Sequence, residues 1–429
     1  MTDRYKKSEI LYRQAEKLIP LGSQTFSKSI LQFPLGVSPL FADKAKGCYL
    51  WDVDGNKYID FINSLASITL GYSDKDINKA VKKQIDNGTI FSLSHSLEKK
   101  VAQLIVNMVP SAEKVRFGKN GSDATAASIR LARAYTKKDH IAVCGYHGWQ
   151  DWYIGSTSRN KGVPKSIQKL THKFMFNKLD SISKIFKKFP NNVAAVILEP
   201  MNVQYPVNNF LDELKELTHK NRALLIFDET ITGFRFSNGG AQKYFNVSPD
   251  LSTFGKGIAN GYPLSAIVGS GKYMRLMEEI FFSATFGGET ISLTASNITL
   301  QKLIKKQVCS YLHKLGQYLE NNLKSMIIKY NLEEFLYISG HPSWIFLNIK
   351  ESEKFDQLEL KSLIQQEFFA RGFLFIGSHN LSLSHDKKHV DLLLKAYEEI
   401  FELIYQAIFK NKMQVLLKCK PIKGVFKIR

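Results

Sequence analysis

The chain is poor in cysteine. Four residues, Cys48, Cys144, Cys309 and Cys419, are scattered over 429 positions. None forms a CxxC pair, so neither a zinc site nor a disulfide framework is indicated, and no metal is expected. Isolated cysteines act as small buried hydrophobes. Long apolar runs are missing as well. None reaches the roughly 18 residues of a membrane span. The polar start Met1-Thr2-Asp3-Arg4-Tyr5-Lys6-Lys7 holds no apolar signal core. These absences predict a cytoplasmic protein without a membrane partner. Internal repeats, low-complexity linkers and nucleic-acid motifs are also lacking. Acidic residues are few: 39 Asp and Glu face 59 Lys and Arg, a formal charge of +20. The excess is spread through Lys-rich helices. Only the stretch from Lys410 to Arg429 is biased, with seven basic residues and no acidic one. That distribution reads as a solvated surface with a basic tail, not as a nucleic-acid footprint. A basic field also suits small anionic substrates.

What is present is a globular composition, 44% hydrophobic and 23% charged. The length accommodates one large domain and a smaller one. Residues 7–19 have helical periodicity and end at Pro20-Leu21-Gly22. Residues 47–62 alternate around Asp54-Gly55-Asn56, a hairpin signal. From residue 75 the pattern alternates helix and strand. Helical periodicity covers 75–87, 96–109 and 122–136. Short apolar runs at 140–144, 193–198, 223–227 and 265–268 predict a mostly parallel sheet covered on both faces. Residues 290–330 read as one long helix and 335–429 as a smaller α+β unit. The expected division is an N-terminal segment 1–62 that joins the small domain, a large domain 63–300, and a C-terminal small domain 301–429.

Ligands in such sheets bind beyond the carboxyl ends of the strands. Polar residues gather there: Tyr146-His147, Glu199-Pro200 and Asp228-Glu229. A carboxylate at the end of a buried run is costly without a partner or a task; capping the next helix is the plain alternative for Asp228. Lys256 follows, set between Gly255 and Gly257 with Gly261 and Pro263 beyond. An aspartate at one strand end and a glycine-flanked lysine near the next is what a pyridoxal phosphate enzyme needs. The amine condenses with the cofactor aldehyde, and the carboxylate keeps the ring nitrogen protonated. Asn120-Gly121-Ser122-Asp123 opens a helix and could cradle a phosphate, or could be an ordinary cap. Tyr146 could lie on a cofactor ring. His147 could be a structural histidine. Phe282-Ser283-Ala284-Thr285-Phe286-Gly287-Gly288 offers a second set of hydroxyls.

The order and spacing of these pieces resemble the class III (subgroup II) aminotransferases of fold type I, within them the glutamate-1-semialdehyde 2,1-aminomutase branch. The resemblance runs from about residue 8 to about 405. It is carried by Asn120–Ala124, Tyr146-His147-Gly148, Leu225–Arg235 and Phe254-Gly255-Lys256-Gly257. It implies a mostly parallel sheet in a large domain, with a smaller α+β domain built from N- and C-terminal segments. It implies that Lys256 bears pyridoxal 5'-phosphate as an internal aldimine and that Asp228 pairs with the ring nitrogen. Gly121 and Ser122 bind the phosphate, Tyr146 stacks on the ring, and Thr230 packs against it. Thr285 reaches the neighbouring active site, which requires a homodimer. Lys28, Glu199 and Asn202 fall in the substrate pocket.

The chain departs from that pattern in places. Ser122-Asp123 replaces Thr-Glu, and Thr230 replaces valine. Lys28 stands where the mutases use an arginine to read a carboxylate, and a lysine cannot form the same fork. Gly377–Ser382 runs through the place of a glutamate, and the loop after Pro200 is shortened. The expected function is therefore transfer of an amino group from an amine or amino acid to a small carbonyl substrate. The intramolecular aminomutase reaction is the alternative. A non-catalytic basic binding protein is a remote one.

Overall fold

The computed structural model describes residues 3–424; Met1, Thr2 and the last five residues of the basic tail lie outside them. The chain forms two units. Of the described residues, one contains 3–65, Thr69–Asp74 and 311–424; the other contains Ala66–Ile68 and Lys75–Ser310.

The second unit is built on a seven-stranded sheet. In spatial order its strands are Lys114–Gly118, Ser265–Gly269, Leu251–Phe254, Leu224–Asp228, Val193–Leu198, His140–Cys144 and Thr171–Lys173. Ser265–Gly269 runs antiparallel to both neighbours, and the other pairings are parallel. The alternation of side chains explains why the central strands are apolar throughout. Ile141, Val143, Ala195, Ile197, Leu224 and Ile226 face one core, which includes helix Gly121–Thr136. Ala142, Val196, Leu198, Leu225 and Phe227 face a second core under helices Leu179–Lys188 and Phe210–Lys220. With both faces dry, a period of two becomes a continuous hydrophobic run.

The first unit holds the predicted hairpin. Tyr49–Asp52 pairs antiparallel with Lys57–Asp60. Asp52 Oδ1 closes the turn by accepting from the amides of Asp54 and Asn56 at 3.1 and 2.8 Å. The strand Phe373–Leu374 joins it in parallel. A separate sheet contains Leu336–His341, Trp344–Ile349 and Ser378–Asn380.

One expectation is corrected. The stretch 290–330 is two helices, Thr290–Lys305 and Val308–Lys329. Gln307 adopts φ 48° between them, so the break is a left-handed residue without glycine or proline to announce it. No described helix is long and apolar enough to cross a membrane.

Candidate active site

Asp228 ends its strand fully buried. Its Oδ1 accepts from the Thr230 amide at 3.1 Å, the Thr230 hydroxyl at 2.6 Å and the Thr253 hydroxyl at 3.1 Å. Its Oδ2 lies 2.8 Å from Nδ1 of His147. Burial pushes the carboxyl pKa up, but the His147 bond and charge and the Thr230 bonds outweigh it and hold the group below the ordinary aspartate value. The opposite Nε2 of His147 lies 3.1 Å from the Cys144 carbonyl. Both partners are acceptors, so each ring nitrogen is placed as a donor. In the sequence His147 is equally a structural histidine. Its place directly after Tyr146 at a strand end was the signal available.

The adjacent Glu229 has a different job. Its carboxylate accepts from the amides of Ala241 and Gln242 at 2.5 and 3.0 Å, and from Gln242 Nε2 and the Thr232 hydroxyl at 3.0 and 2.8 Å. It thereby caps the short helix Gly240–Tyr244. The capping role considered for Asp228 falls to its neighbour.

Lys256 follows the strand Leu251–Phe254, one strand away from Asp228, whose register partner is Thr253. The lysine itself has φ 44°, a left-handed conformation that is strained for a side chain of this size. Thr230 sits between two glycines. A Cβ on Gly121 would lie 3.1 Å from its methyl carbon, and one on Gly255 would lie 3.2 Å away. Gly121, Thr230 and Gly255 thus meet at close range, and this contact joins the helix start, the Asp228 turn and the lysine loop.

Helix Gly121–Thr136 begins here. Asp123 Oδ2 accepts from the amides of Lys119 and Asn120 at 3.1 and 2.8 Å. The amides of Gly121 and Ser122 precede the first intrahelical bonds. Among the described residues they have no backbone acceptor, as an anion site requires. Ser122 Oγ lies 3.4 Å from the Trp149 amide. Gly148, at φ 103°, permits this approach, because a Cβ there would fall 2.2 Å from the same oxygen. Lys119 Nζ pairs with Glu289 at 2.9 Å, and Glu289 caps helix Thr290–Lys305 through Ile291 and Ser292. That ties the 281–289 segment to the helix start. Thr285, within it, is exposed.

Tyr146 is 40% exposed. Its ring stands edge-on to Tyr153 at 5.7 Å, and Tyr153 also meets the His147 ring at 5.3 Å. Burial, with the Asp228 charge, raises its phenol pKa. The turn presenting it is pinned on both sides. Tyr153 donates to the Gly145 carbonyl at 2.8 Å, and the Tyr146 amide donates to Glu199 Oε2 at 3.2 Å. Asn202 Nδ2 donates to Glu199 Oε1 at 2.9 Å. Lys28 belongs to the other unit, where it is exposed and lines a cavity of about 440 Å³ with Asp60 and Tyr72.

Fold and site together define a pyridoxal phosphate-dependent transferase of fold type I. The chain belongs to the class III aminotransferases, whose family model matches residues 34–383. It is 35% identical over 398 residues to glutamate-1-semialdehyde 2,1-aminomutase 2 of Lachnoclostridium phytofermentans, covering 88% of this chain and 92% of that one. It is 34% identical over 355 residues to 3-aminobutyryl-CoA aminotransferase of Cloacimonas acidaminovorans, covering 81% and 84%. Among solved structures, the PLP internal aldimine form of FumI from Sphingopyxis sp. MTA144 superimposes with a TM-score of 0.88 at 26% identity, covering 97% of this chain and 99% of that one. The protein is an enzyme that transfers amino groups, and its cofactor is pyridoxal phosphate. The residues fit that group: a buried carboxylate held in its charged form, two amides at a helix start, and glycines that clear the backbone around Thr230.

Proposed function

We propose that the enzyme is an intermolecular aminotransferase, passing an amino group from one molecule to the carbonyl of another. Asp228 carries the reading. Its carboxylate is buried, charged and bonded on both oxygens, and in that state it would hold the ring nitrogen of pyridoxal phosphate protonated. Gly121 and Ser122 would bind the phosphate, Tyr146 would cover one ring face, and the Thr230 methyl would pack at the ring edge. Bound pyridoxal phosphate supplies an electron sink that makes the adjacent C–H bond of an amine acidic. The chain supplies the rest. Lys256 Nζ would anchor the cofactor, and the freed amine would take the proton from the substrate carbon and deliver it to C4′ of the cofactor on the same face.

Transfer between molecules is favoured over the intramolecular mutase reaction by the substrate-reading positions. Lys28 offers a single exposed point charge in place of a fork. The segment Gly377–Ser382 contains no acidic residue, and its His379 is buried against the Tyr397 hydroxyl at 2.9 Å. Glu199 and Asn202 would line the substrate side of the pocket.

The functional form we propose is a homodimer in which Thr285 serves the neighbouring site. Exposed apolar side chains support it. Leu93 and Phe281 are each at least 80% exposed, and their segments meet where Thr290 bonds the Gly88 and Thr89 carbonyls. The cytoplasm is the proposed setting, because all four cysteines are free. The test is stoichiometric. With an amine alone, the loaded enzyme should turn over once and stop until a carbonyl acceptor is added. Sustained turnover of one substrate without acceptor would establish the mutase reaction instead.

A further inference from the structure

The two oxygens of Asp228 are loaded unequally. Oδ1 accepts three donors: the Thr230 amide at 3.1 Å, the Thr230 hydroxyl at 2.6 Å and the Thr253 hydroxyl at 3.1 Å. Oδ2 faces one, His147 Nδ1 at 2.8 Å. A carboxylate oxygen offers two lone-pair directions. Oδ1 is therefore full, and Oδ2 is the oxygen with room for a further donor.

The Thr230 hydroxyl makes the shortest of these four bonds, as a hydroxyl does when its acceptor is charged. An ionised carboxylate only accepts, so this hydroxyl donates. Its aim is set by the other branch of the side chain. The methyl carbon fills the space where Gly121 and Gly255 carry no Cβ, 3.1 and 3.2 Å from where those atoms would stand. A β-branched side chain is stiff at its one torsion, so seating the methyl directs the hydroxyl. Thr253 reaches the same oxygen from the adjacent strand, where it is the register partner of Asp228. Donors from a turn and a strand thus fix the carboxylate plane and turn Oδ2 to the His147 side.

We propose that Thr230 is a positioning residue for the cofactor: by filling Oδ1 its hydroxyl makes Oδ2, beside His147, the oxygen that accepts from the protonated ring nitrogen. Without that hydroxyl, Oδ1 regains an open lone pair and the carboxylate plane rests on two longer bonds. The nitrogen then meets an acceptor of less definite direction. The same donor favours the charged carboxyl over the neutral one, so the acceptor is in place before the cofactor arrives. This rests on the pairing of Asp228 with the ring nitrogen proposed above, and it names the side chain that orients that pair.

The test strips the full chain of cofactor and reloads it, with binding followed by calorimetry. Pyridoxal 5'-phosphate is compared with its 1-deaza analogue, in which C–H replaces the ring nitrogen. Both carry the aldehyde and the phosphate, so the ratio of affinities reads the nitrogen alone. The wild type should prefer the natural cofactor. Thr230→Val keeps the shape and removes the donor, and it should lower that preference by about tenfold. Affinity for the analogue should stay nearly unchanged. Thr230→Ser keeps the donor and should retain most of the preference, whereas Thr230→Ala should not. The serine and alanine variants repeat the comparison if valine strains the turn. Equal losses for both ligands in Thr230→Val would mark a packing role and overturn the proposal. So would a preference that persists in both Thr230→Val and Thr230→Ala. Asp228→Asn separates the two readings. A preference that survives Asp228→Asn sinks the Asp228 pairing itself, and one lost there but intact in Thr230→Val sinks the positioning role alone.

Discussion

His147 Nδ1 and Asp228 Oδ2 lie 2.8 Å apart, with 0% and 4% of their side chains exposed. The histidine is the only bonded partner of that oxygen among the described residues, so it decides how the carboxylate behaves. Replacing His147 with leucine leaves a buried charge with one side unpaired. A hydrogen bond to a charged group is worth about 1.5–3 kcal/mol. We expect His147→Leu to lower kcat/KM by about tenfold to a hundredfold, to weaken cofactor retention, and to shift the pH dependence of cofactor absorbance. His147→Gln should recover part of each. Spectral titration of the purified variants checks this.

Lys256→Ala should abolish turnover and the visible-edge absorbance of the loaded enzyme together. A wild type that stays colourless after addition of pyridoxal phosphate would refute the assignment of this lysine.

Gly145→Ala tests the turn beneath Tyr146. The position has φ 104°, and a Cβ would fall 2.5 Å from Glu199 Oε2. Either the carboxylate or the turn must move. A loss of about 1–3 kcal/mol in stability is expected, with a fall in kcat. Urea denaturation and steady-state kinetics report the two effects separately.

Glu229→Ala removes a carboxylate that satisfies four donors. Each stranded donor costs about 1–3 kcal/mol, so a loss of at least about 3 kcal/mol is expected. Thermal unfolding should show it in protein without cofactor as clearly as in loaded protein.

Acid sensitivity should follow from His379 and His385. Burial drives both imidazoles from 6.5 down to about 3. The unfolded chain takes up protons below about pH 6.5 that the folded chain refuses. Stability is therefore full above that value and is lost progressively as the pH falls toward 3. Urea midpoints measured at pH 7, 6, 5 and 4 should decline, and His379→Gln should flatten the slope.

Much of this molecule could be read directly from its residues. The buried strands announced themselves by unbroken apolar runs, and Asp54-Gly55-Asn56 marked its hairpin. The flanking glycines and the place after Asp228 single out Lys256 as the candidate lysine. Other features left no local trace. The break at Gln307 falls on a left-handed residue with no glycine or proline beside it. Asp228 and Glu229 are chemically alike and adjacent, yet strand alternation sends one toward His147 and the other to a helix start. The three donors on Asp228 Oδ1 come from a turn and a neighbouring strand, a relation visible in three dimensions alone.

The smaller unit is assembled from both ends of the chain, with Lys75–Ser310 intervening. During synthesis its first half, including the core residues Tyr58, Phe61 and Ile62, must wait while that whole segment is made. At about 5–20 residues per second this delay lasts on the order of tens of seconds. The hairpin spends that time with its apolar side uncovered, while the seven-stranded unit emerges contiguously and can close first. The nascent N-terminus is therefore where chaperone engagement and premature association should concentrate in the cell.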